Sequence, residues 1–498
     1  MKKILFAAMG LAMFAVSCKK TDTGTEKPLI AGVPATSLDT LVGEITVNTT
    51  VTKNTFLHGL VYVKNGVTLT INPGITIYGS DNTNGGAFDA VNAFKNKGTL
   101  LIEKGGKLIA QGTAGAPIVW TSDNKKPVGT RKLGDWGGVV IYGKAPFHNK
   151  AGNTTTTRFE AFDIVPTDTR NFYGGTDPND NSGIMTYNRI EFAGGVVTAV
   201  DKEVNGLTLC AVGRGTTINN IEVLKAGDDA IEFFGGTVNL DHILTYATKD
   251  DDFDFDEGYQ GHLQFIIGVR DTTADNSGSH LIEADNDGSA TNTQPYTTPF
   301  ITNATLIGPT VAKNFVTGAY SWFEGAIMPR RNVSLRLVNS YVIANAMPYG
   351  ITFTPTTGNF GATLLDPPAL SVPNNVQAFN IFQINNAGFG GVAVQAPAEG
   401  NGVNLPLNLV NDATLVNKLI SAANANNGLV GQNDFNLGSA LENTATTPFL
   451  NTGVDLTTLG LPAPLNDFIG TNQRGGVVST DNWTLNGVVA GWISIATQ

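Results

Sequence analysis

The chain has little cysteine, and this shortage limits how the fold can be stabilised. Only Cys18 and Cys210 occur among 498 residues, and we expect no disulfide even in an oxidising compartment. Cys210 lies in the apolar segment 206–213, which predicts a small buried side chain. Stability must therefore come from a hydrophobic core, for which the chain has 41% apolar residues.

Charge is also scarce, and it is unevenly divided between the two signs. Charged residues make up 15% of the chain, and 42 acidic residues outnumber 31 basic ones. An acidic surface argues against nucleic acid, and against anionic polymers as default ligands. The chain also lacks the Gly-x-Ser-x-Gly, His-Glu-x-x-His, phosphate-loop and dinucleotide-binding patterns, which argues against those chemistries.

The N-terminal apolar run is too short to cross a membrane. Residues 4–16 form 13 apolar positions after the basic pair Lys2 and Lys3. A helix of this length cannot span roughly 30 Å of hydrocarbon. The pattern predicts an export signal over residues 1–17.

The end of this signal predicts a lipid anchor. Residues 15–18, Ala-Val-Ser-Cys, resemble the bacterial lipobox. The resemblance implies that Cys18 is lipidated and becomes the first residue of a mature outer membrane lipoprotein, on its periplasmic or surface-exposed face. An ordinary cleaved signal with an incidental cysteine is the alternative. Residues 18–38 are rich in Thr, Gly and Pro, which predicts a flexible tether between the lipid and the fold.

A short internal repeat is the strongest indication of architecture. The segment 226–236 (AGDDAIEFFGG) aligns with 248–258 (TKDDDFDFDEG) at an offset of 22 residues. A second pair, 219–224 and 240–245, aligns at an offset of 21 residues. The first alignment superposes Asp228 on Asp250, Asp229 on Asp251, Ile231 on Phe253, Glu232 on Asp254 and Phe233 on Phe255. A repeat of this length suits one coil of about three short strands, as in a parallel β-helix.

The remaining composition favours an all-β chain. Glycine is abundant, at 58 residues, and short alternating Val/Ile/Leu segments recur. An antiparallel sandwich would give similar alternation in the early segments, and the 22-residue repeat favours the β-helix. We predict a single β-helix domain over 39–498, irregular over 354–470. The only convincing helix signals lie in 412–428, where Asp412 and Gly428 are end signals and the helix spans about 412–425.

Four segments resemble a group of right-handed β-helix lipoproteins from Bacteroidota with the pectate-lyase-like fold. They are NGVTLTINPGITIYG (65–79), GGKLIAQGTAGAPIVWTS (105–122), WGGVVIYGKA (136–145) and DNWTLNGVVAGW (481–492). Their shared features are structural, with glycines at tight corners and Trp136 and Trp492 as large anchors. The resemblance implies a right-handed β-helix and a cell-envelope location, and it implies no particular activity.

The acidic run 252–256 predicts a cation site. On a strand, Asp252, Asp254 and Asp256 should point outward while the two Phe residues enter the core. Glu232 should lie one rung, roughly 4.8 Å, from Asp254, where two charges repel by about 3 kcal/mol. We therefore expect Ca²⁺ bound by Glu232, Asp252, Asp254 and Asp256. A solvated acidic face satisfied by backbone N–H groups, or a general acid/base pair, would explain the same run.

Catalytic patterns of the fold are matched only in part. Polygalacturonases carry four motifs on consecutive coils, and 227–229 (Gly-Asp-Asp) matches one while Gly261-His262 matches two-thirds of another. The Asn-Thr-Asp and Arg-Ile-Lys motifs do not occur at a suitable spacing, which argues against a galacturonan hydrolase. A lyase would need a basic residue beside the acidic run. The catalytic candidates are Asp228, Asp229, Lys249 and His262.

Binding is favoured over catalysis as the overall function. We expect a non-catalytic envelope lipoprotein that displays its β-helix surface to a glycan or a partner protein, with Tyr320 and Trp322 as aromatic ligand-binding candidates. A calcium-assisted polysaccharide lyase or glycoside hydrolase acting at the acidic rungs is the alternative, and a structural spacer is the third interpretation. Long loops beside the rungs, at 145–186 and 271–300, would favour catalysis.

Overall fold

A computed structural model describes most of the chain from residue 39 to residue 309 and shorter parts of the chain beyond residue 322. The gaps within the first part are 82–96, 124–129, 150–153, 163–168, 198–201, 276–277 and 289–292. Beyond residue 322, the described residues are parts of 323–347, then 383–385, 388–390, 427–428, 476, 481 and 483–494. The predicted helix at 412–425 and the predicted signal and tether lie outside these residues.

The described residues form short strands in rapid succession. The first half comprises β1 (Asp39–Ile45), β2 (Thr49–Val51), β3 (Thr55–Val63), β4 (Thr68–Ile71), β5 (Thr76–Gly79), β6 (Thr99–Ile102), β7 (Lys107–Gln111), β8 (Ile118–Ser122), β9 (Gly138–Tyr142), β10 (Thr157–Arg158), β11 (Phe172–Tyr173), β12 (Gly183–Glu191) and β13 (Leu207–Cys210). The second half comprises β14 (Thr217–Leu224), β15 (Ile231–Phe234), β16 (Asn239–Tyr246), β17 (Phe253–Asp256), β18 (His262–Val269), β19 (Ile282–Asp285), β20 (Phe300–Ile307), β21 (Ile327–Arg330), β22 (Arg336–Val338), β23 (Tyr341–Ile343), β24 (Gln383–Asn385), β25 (Gly388–Gly390) and β26 (Asn427–Gly428). A 3-10 turn (Glu160–Phe162) and one helix, α1 (Trp483–Ala490), complete the described elements.

Apart from β10 and β11, which form a separate antiparallel pair, these strands pair in parallel along three faces of a right-handed β-helix, as the sequence predicted. Sheet A runs through β1, β3, β6, β9, β13, β15, β17, β19 and β21. Sheet B runs through β2, β4, β7, β12, β14, β16, β18, β20, β22 and β24. Sheet C runs through β5, β8, the second halves of β12, β14, β16, β18 and β20, and then β23, β25 and β26.

Long strands turn from sheet B into sheet C at one residue in the left-handed backbone region. The turning residues have φ between 51° and 56°, and they are Tyr187, Asn220, His242, Phe265 and Asn303. A non-glycine residue rarely adopts this conformation. Its recurrence at the same place in successive rungs shows that the stacked neighbours fix the corner.

The 22-residue register predicted for the acidic rungs is confirmed. Ile231 pairs with Phe253, and Glu232 pairs with Asp254. The 21-residue offset predicted for the other strands is wrong, because Asn219 pairs with Asp241 at an offset of 22. The left-handed residue at the corner interrupts the alternation of inward and outward side chains. The alignment of 219–224 with 240–245 was therefore shifted by one residue.

The core lies inside the coil, where apolar side chains of one rung stack on those of the next. The rings of Phe233 and Phe255 are stacked with centroids 4.8 Å apart, and the ring of Tyr259 lies 5.3 Å from that of Phe255. The Tyr259 hydroxyl donates to the carbonyl of Val238 at 2.7 Å. Stacking of this kind buries large apolar surfaces without widening the cross-section.

Sheet A has a second apolar layer on its outer face, under the described residues of 145–175. Aromatic rings from the segment cover outward side chains of the early rungs, and the cluster includes Tyr62, Tyr142, Phe147, Phe159, Tyr173, Cys210 and Phe234. Cys210 is buried, as the sequence predicted. The cover stops where the carboxylates begin, at β15.

The C-terminal segment packs on the outer face of sheet C. Trp483 begins α1 and Trp492 lies two residues beyond its end. The two rings stack at 5.9 Å and join an apolar cluster with Leu244, Ile267, Val269 and Ile307. This helix was not expected, because the convincing helix signals lay at 412–428. No helix that the structure describes is both long and apolar enough to cross a membrane.

Candidate functional site

Carboxylates occupy the outer face of sheet A at β15, β17 and β19. One outward column contains Glu232, Asp254 and Glu283, which pair across successive rungs. A second column contains Asp256 and Asp285, at the ends of β17 and β19. Together with the corner residues Asp228, Asp229, Asp250 and Asp251, these side chains make up what we call the acidic face.

The acidic face contains three groups of side chains close enough to share one ion. Within each group, ligand atoms lie within 4.8 Å of one another. The groups are Asp228, Asp229 and Asp250; Asp229, Glu232 and Asp254; and Asp251, His280 and Glu283. The first two groups each have two half-buried members, whereas the third is buried. The first group has the charge of Lys249 nearby, so the second group is the most suited to a cation from solution.

Polar contacts fix the second group in place. The side-chain amide of Asn205 donates to Glu232 Oε2, and its oxygen accepts from the backbone N–H of Asp229 at 3.3 Å. Asp229 Oδ1 accepts from the backbone N–H of Asp251 at 2.8 Å. The carboxylates are therefore held close together before any ligand arrives.

The close approach of these carboxylates makes their ionised forms costly. Burial, followed by the charge of Asp254, raises the pKa of Glu232 well above its usual range. Burial, followed by the charge of Glu283, raises the pKa of Asp254 in the same way. In addition, Oδ1 of Asp254 is buried without a hydrogen-bond partner among the described residues. A bound cation would relieve both the repulsion and the unpaired oxygen.

Arginines end the acidic face at its C-terminal side. Arg330 binds Glu283 and donates from Nε to Asp285 Oδ2 at 3.0 Å, and Arg331 also binds Asp285. Burial lowers the pKa of Arg330, but Glu283 and Asp285 outweigh it, so the pKa is raised. Arginines therefore neutralise Glu283 and Asp285. Among the described residues, no arginine forms an ion pair with Glu232 or Asp254.

The expected outward orientation of Asp252 is wrong. Strand β17 begins at Phe253, so Asp252 belongs to the preceding corner and points inward. Its side chain is completely buried, and Oδ2 lies 3.5 Å from Nη1 of the equally buried Arg270. Asp252 is therefore an internal ion-pair partner and cannot share a surface cation with Asp254.

His262 also lies away from the acidic face. It begins β18 on sheet B, where Nε2 lies 3.0 Å from Thr302 Oγ1 and the ring packs on Phe300.

Lys249 does lie beside the acidic corner and pairs with Asp275. Burial lowers the pKa of Lys249, but Asp275 outweighs it and the pKa is raised, which makes this amine a poor base.

Asp228 and Asp229 lie together at the corner before β15, as their sequence adjacency requires. The other predicted site residues, Cys18, Tyr320 and Trp322, lie outside the described residues. Asn205 was missed, because the rung that carries it is 24 residues long, as the pairing of Leu207 with Ile231 shows. An alignment that allowed rungs of unequal length would have placed Asn205 beside Asp229.

This protein is a parallel β-helix that presents carboxylates on the outer face of sheet A, next to the apolar layer covered by residues after β9. The chain belongs to the family described as the pectate-lyase-like beta helix domain, whose profile matches residues 43–363. No curated protein and no solved structure matches the chain. The family fits a carbohydrate-related role, and the matched range contains the whole acidic face.

Proposed function

We propose that this protein is a cell-envelope lipoprotein that binds a glycan on the acidic face, with Ca²⁺ between the carboxylates and the sugar. The observation that supports this most is the compact group formed by Asp229, Glu232 and Asp254, in which Glu232 and Asp254 are half-buried and form no ion pair among the described residues. The family's carbohydrate-related role supports a glycan over other ligands.

The donor set suits calcium better than a transition metal. The group offers only oxygen ligands, from carboxylates and from the nearby Asn205 amide, and Ca²⁺ takes six to eight oxygens in flexible geometry. Oxygens bound to one Ca²⁺ lie within about 5 Å of each other, twice the metal–oxygen distance, which agrees with the 4.8 Å limit within the group. Glu232 and Asp254 would hold the ion, and Asp229 would support it from the corner.

The acidic face sets a condition on acidic glycans. Uronate carboxylates would be repelled by Glu232 and Asp254 unless a divalent cation lay between them. A neutral glycan could bind through its hydroxyl groups to the same cation. Calcium should therefore be required for uronate binding, and it should strengthen the binding of neutral glycans.

The proposed location rests on residues 1–38. In this proposal, Cys18 carries the lipid and residues 18–38 tether the β-helix to the outer membrane. Metabolic labelling with a fatty acid should mark the wild-type protein and should not mark Cys18→Ser. Labelling of the variant, or no labelling of either protein, would contradict the anchor without affecting the binding proposal.

Calcium removal provides the first test of the site. We expect EDTA to lower the melting temperature by a few degrees, because a ligand at about 100 times its Kd stabilises the folded state by about 2.7 kcal/mol. Asp254→Asn should abolish this sensitivity, since it removes one ligand charge from the centre of the group. Asp39→Asn, at an exposed aspartate on the first rung, is the matched control and should retain it. An EDTA-insensitive melt of the wild-type protein would contradict the calcium site.

Glycan binding is tested by calorimetry with a panel of neutral and acidic oligosaccharides, with and without calcium. Calcium-dependent heat with at least one oligosaccharide, lost in Asp254→Asn, is the expected result. Calcium binding without any response to sugars would leave a metal-stabilised scaffold and would contradict the glycan proposal.

Catalysis is a second candidate, which the pair Glu232 and Asp254 supports. Two neighbouring carboxylates whose pKa values are raised allow one of them to remain protonated and to act as a general acid. Shortening of an oligosaccharide during the calorimetric experiment, lost in Glu232→Gln, would establish a hydrolase or lyase. Binding without shortening would establish the non-catalytic function.

A further inference from the structure

The C-terminal segment lies along the outer face of sheet C and contacts successive rungs. We give the name C-terminal clamp to its described residues, which are Gly476, Asp481 and 483–494. Gly476 N–H donates to Thr305 Oγ1 of β20 at 2.9 Å, and Arg189 Nη1 of β12 donates to the Gly491 carbonyl at 3.3 Å. Between these two points, the clamp contacts β14, β16 and β18. It therefore crosses five rungs, in the order opposite to that of the chain.

Two glycines let the clamp approach the solenoid and fold back on itself. A Cβ on Gly476 would collide with the carbonyl oxygen of Ile266 on β18. A Cβ on Gly487 would lie 2.8 Å from Nε1 of Trp492, and the Gly487 carbonyl accepts from the backbone N–H groups of Gly491 and Trp492 at 2.8 and 3.1 Å. This fold-back after α1 brings the end of the clamp onto β12 and β14.

One titratable side chain that holds the clamp is His242, at the corner of β16. Its Nε2 lies 2.7 Å from Asp481 Oδ2 of the clamp, and its Nδ1 lies 2.5 Å from Asp241 Oδ1 on its own strand. An ionised carboxylate only accepts hydrogen bonds, so each ring nitrogen must carry a hydrogen and the ring is an imidazolium. Burial lowers the pKa of His242, but the hydrogen bonds to Asp241 and Asp481 outweigh it and the pKa is raised.

The second titratable side chain is Glu222 on β14, which lies under the end of the clamp. Both of its oxygens lie 3.1 Å from the N–H of Ser494, and the side chain is completely buried. Burial raises the pKa of Glu222 from 4.5 to about 8, against a smaller opposing effect of Arg189. Arg189 is shared, because its Nε donates to Glu191 Oε1 at 2.5 Å. An ionised Glu222 is therefore poorly compensated while the clamp covers it.

The other groups packed around these two side chains are apolar or have partners of their own. Glu191, on β12, is the other charged neighbour of Glu222, and it also pairs with Arg131 at 3.9 Å. On β16, the residue paired with Glu222 is Leu244. His242 meets aromatic rings from β18 and from α1, which belong to Phe265 and Trp483.

The two sites respond to pH in the same direction. A neutral His242 cannot donate to both carboxylates, so its contact with Asp481 weakens. An ionised Glu222 gains water only if Ser494 moves away from it. Both pKa values are raised in the docked state, so both contributions are complete at low pH and are lost as the pH rises. For Glu222 the loss extends from pH 4.5 to about pH 8, and for His242 it lies above pH 6.5.

We propose that protons on His242 and Glu222 keep the C-terminal clamp docked on sheet C, and that the clamp opens as the pH rises above neutral. Opening uncovers the apolar strip beneath it, whose members are Leu244, Ile267, Val269 and Ile307. It also separates from one another the rungs that carry the acidic face on the opposite side of the coil. The proposal is independent of what the acidic face binds.

Hydrogen–deuterium exchange of the full chain tests the clamp, with peptides that cover 481–494 compared across pH after correction for intrinsic exchange. Between pH 6.5 and pH 8, the opening equilibrium of these peptides should rise by about tenfold or more per pH unit, because opening releases the Glu222 proton and His242 adds to the effect. Above that range the rise should level off. Peptides from β6 and β9 should show no such rise, and an equal rise there would overturn local opening.

Two variants distinguish proton control from ordinary packing. Glu222→Gln stays neutral and keeps an oxygen for Ser494, so its pH dependence should fall by about tenfold per pH unit. Asp481→Asn removes a carboxylate that holds the imidazolium, so its clamp peptides should be more open than wild type at pH 6. The double variant should have a flat profile, and Glu44→Gln, at an exposed glutamate, should match wild type.

A flat wild-type profile would overturn the proposal, as would a wild-type rise in the double variant. If Glu222→Gln does not fold, Asp481→Asn decides, because its side chain lies at the surface of the clamp. Unchanged opening of Asp481→Asn at pH 6 would then overturn the proposal.

Discussion

Replacing Arg270 with methionine should lower the free energy of unfolding by about 3–5 kcal/mol, the cost of leaving one member of a buried ion pair without its partner. Arg270 is 2% exposed. Its guanidinium lies 3.5 Å from Asp252 Oδ2, donates to the carbonyl of His280 at 3.2 Å and to that of Lys249 at 3.3 Å. Methionine fills similar space but leaves the buried Asp252 carboxylate and these carbonyls unpaired.

The measurement is the midpoint of denaturant unfolding, compared among matched variants. Arg270→Met combined with Asp252→Asn should recover part of the loss, because the second change removes the uncompensated charge. Lys53→Met removes an ion pair whose side chains are 59% and 60% exposed, and it should cost no more than about 1 kcal/mol. Equal midpoints for Arg270→Met and Lys53→Met would show that the internal pair does not stabilise the corner.

Glu222→Gln should make the protein more stable than wild type at alkaline pH. Glu222 is completely buried, and burial raises its pKa from 4.5 to about 8, against a smaller opposing effect of Arg189. Between these values the folded state holds a proton that the unfolded state has lost. The contribution of Glu222 to the free energy of unfolding is therefore complete below the pKa of the unfolded state. It decreases as the pH rises towards 8, by about 1.4 kcal/mol per pH unit at most.

Glutamine remains neutral and keeps an oxygen for the Ser494 N–H, which lies 3.1 Å from both carboxylate oxygens. The variant should therefore lose this pH dependence and gain several kcal/mol over wild type above pH 8. Melting curves of both proteins between about pH 5 and pH 9 measure the effect, with Glu44→Gln as the exposed control. Parallel curves for wild type and Glu222→Gln would contradict it.

Much of the fold could be predicted because neighbouring rungs repeat the same pattern. The alignment of Glu232 with Asp254 gave the correct pairing, since alternation of inward and outward side chains within a strand is a local property. The same alternation failed at Asp252, because a corner precedes Phe253 and resets the direction of the side chain. The corners from sheet B into sheet C contain left-handed residues such as His242. These residues are of different types, so the sequence does not indicate which of them adopt this conformation.

The contacts that complete the acidic face could not be predicted from local patterns. Arg330 lies 47 residues from Glu283 in the chain, and His148 contacts Asp287 across 139 residues. Helix α1 was missed for a related reason. Its sequence, WTLNGVVA, has Thr, Gly and Val, which disfavour helix, and its helical form depends on packing against Leu244 and Ile267.

Because the rungs stack at an even spacing, the number of rungs before a site sets its distance along the solenoid. The acidic face first appears at β15, five rung spacings after β1 along sheet A, which is roughly 24 Å at roughly 4.8 Å per rung. Because each rung pairs within the sheets only with its neighbours, removal of one complete rung before β15 should shorten this distance by one spacing and leave the pairing of Glu232 with Asp254 in place. The distance from β1 to the acidic face can therefore change only in steps of one rung spacing.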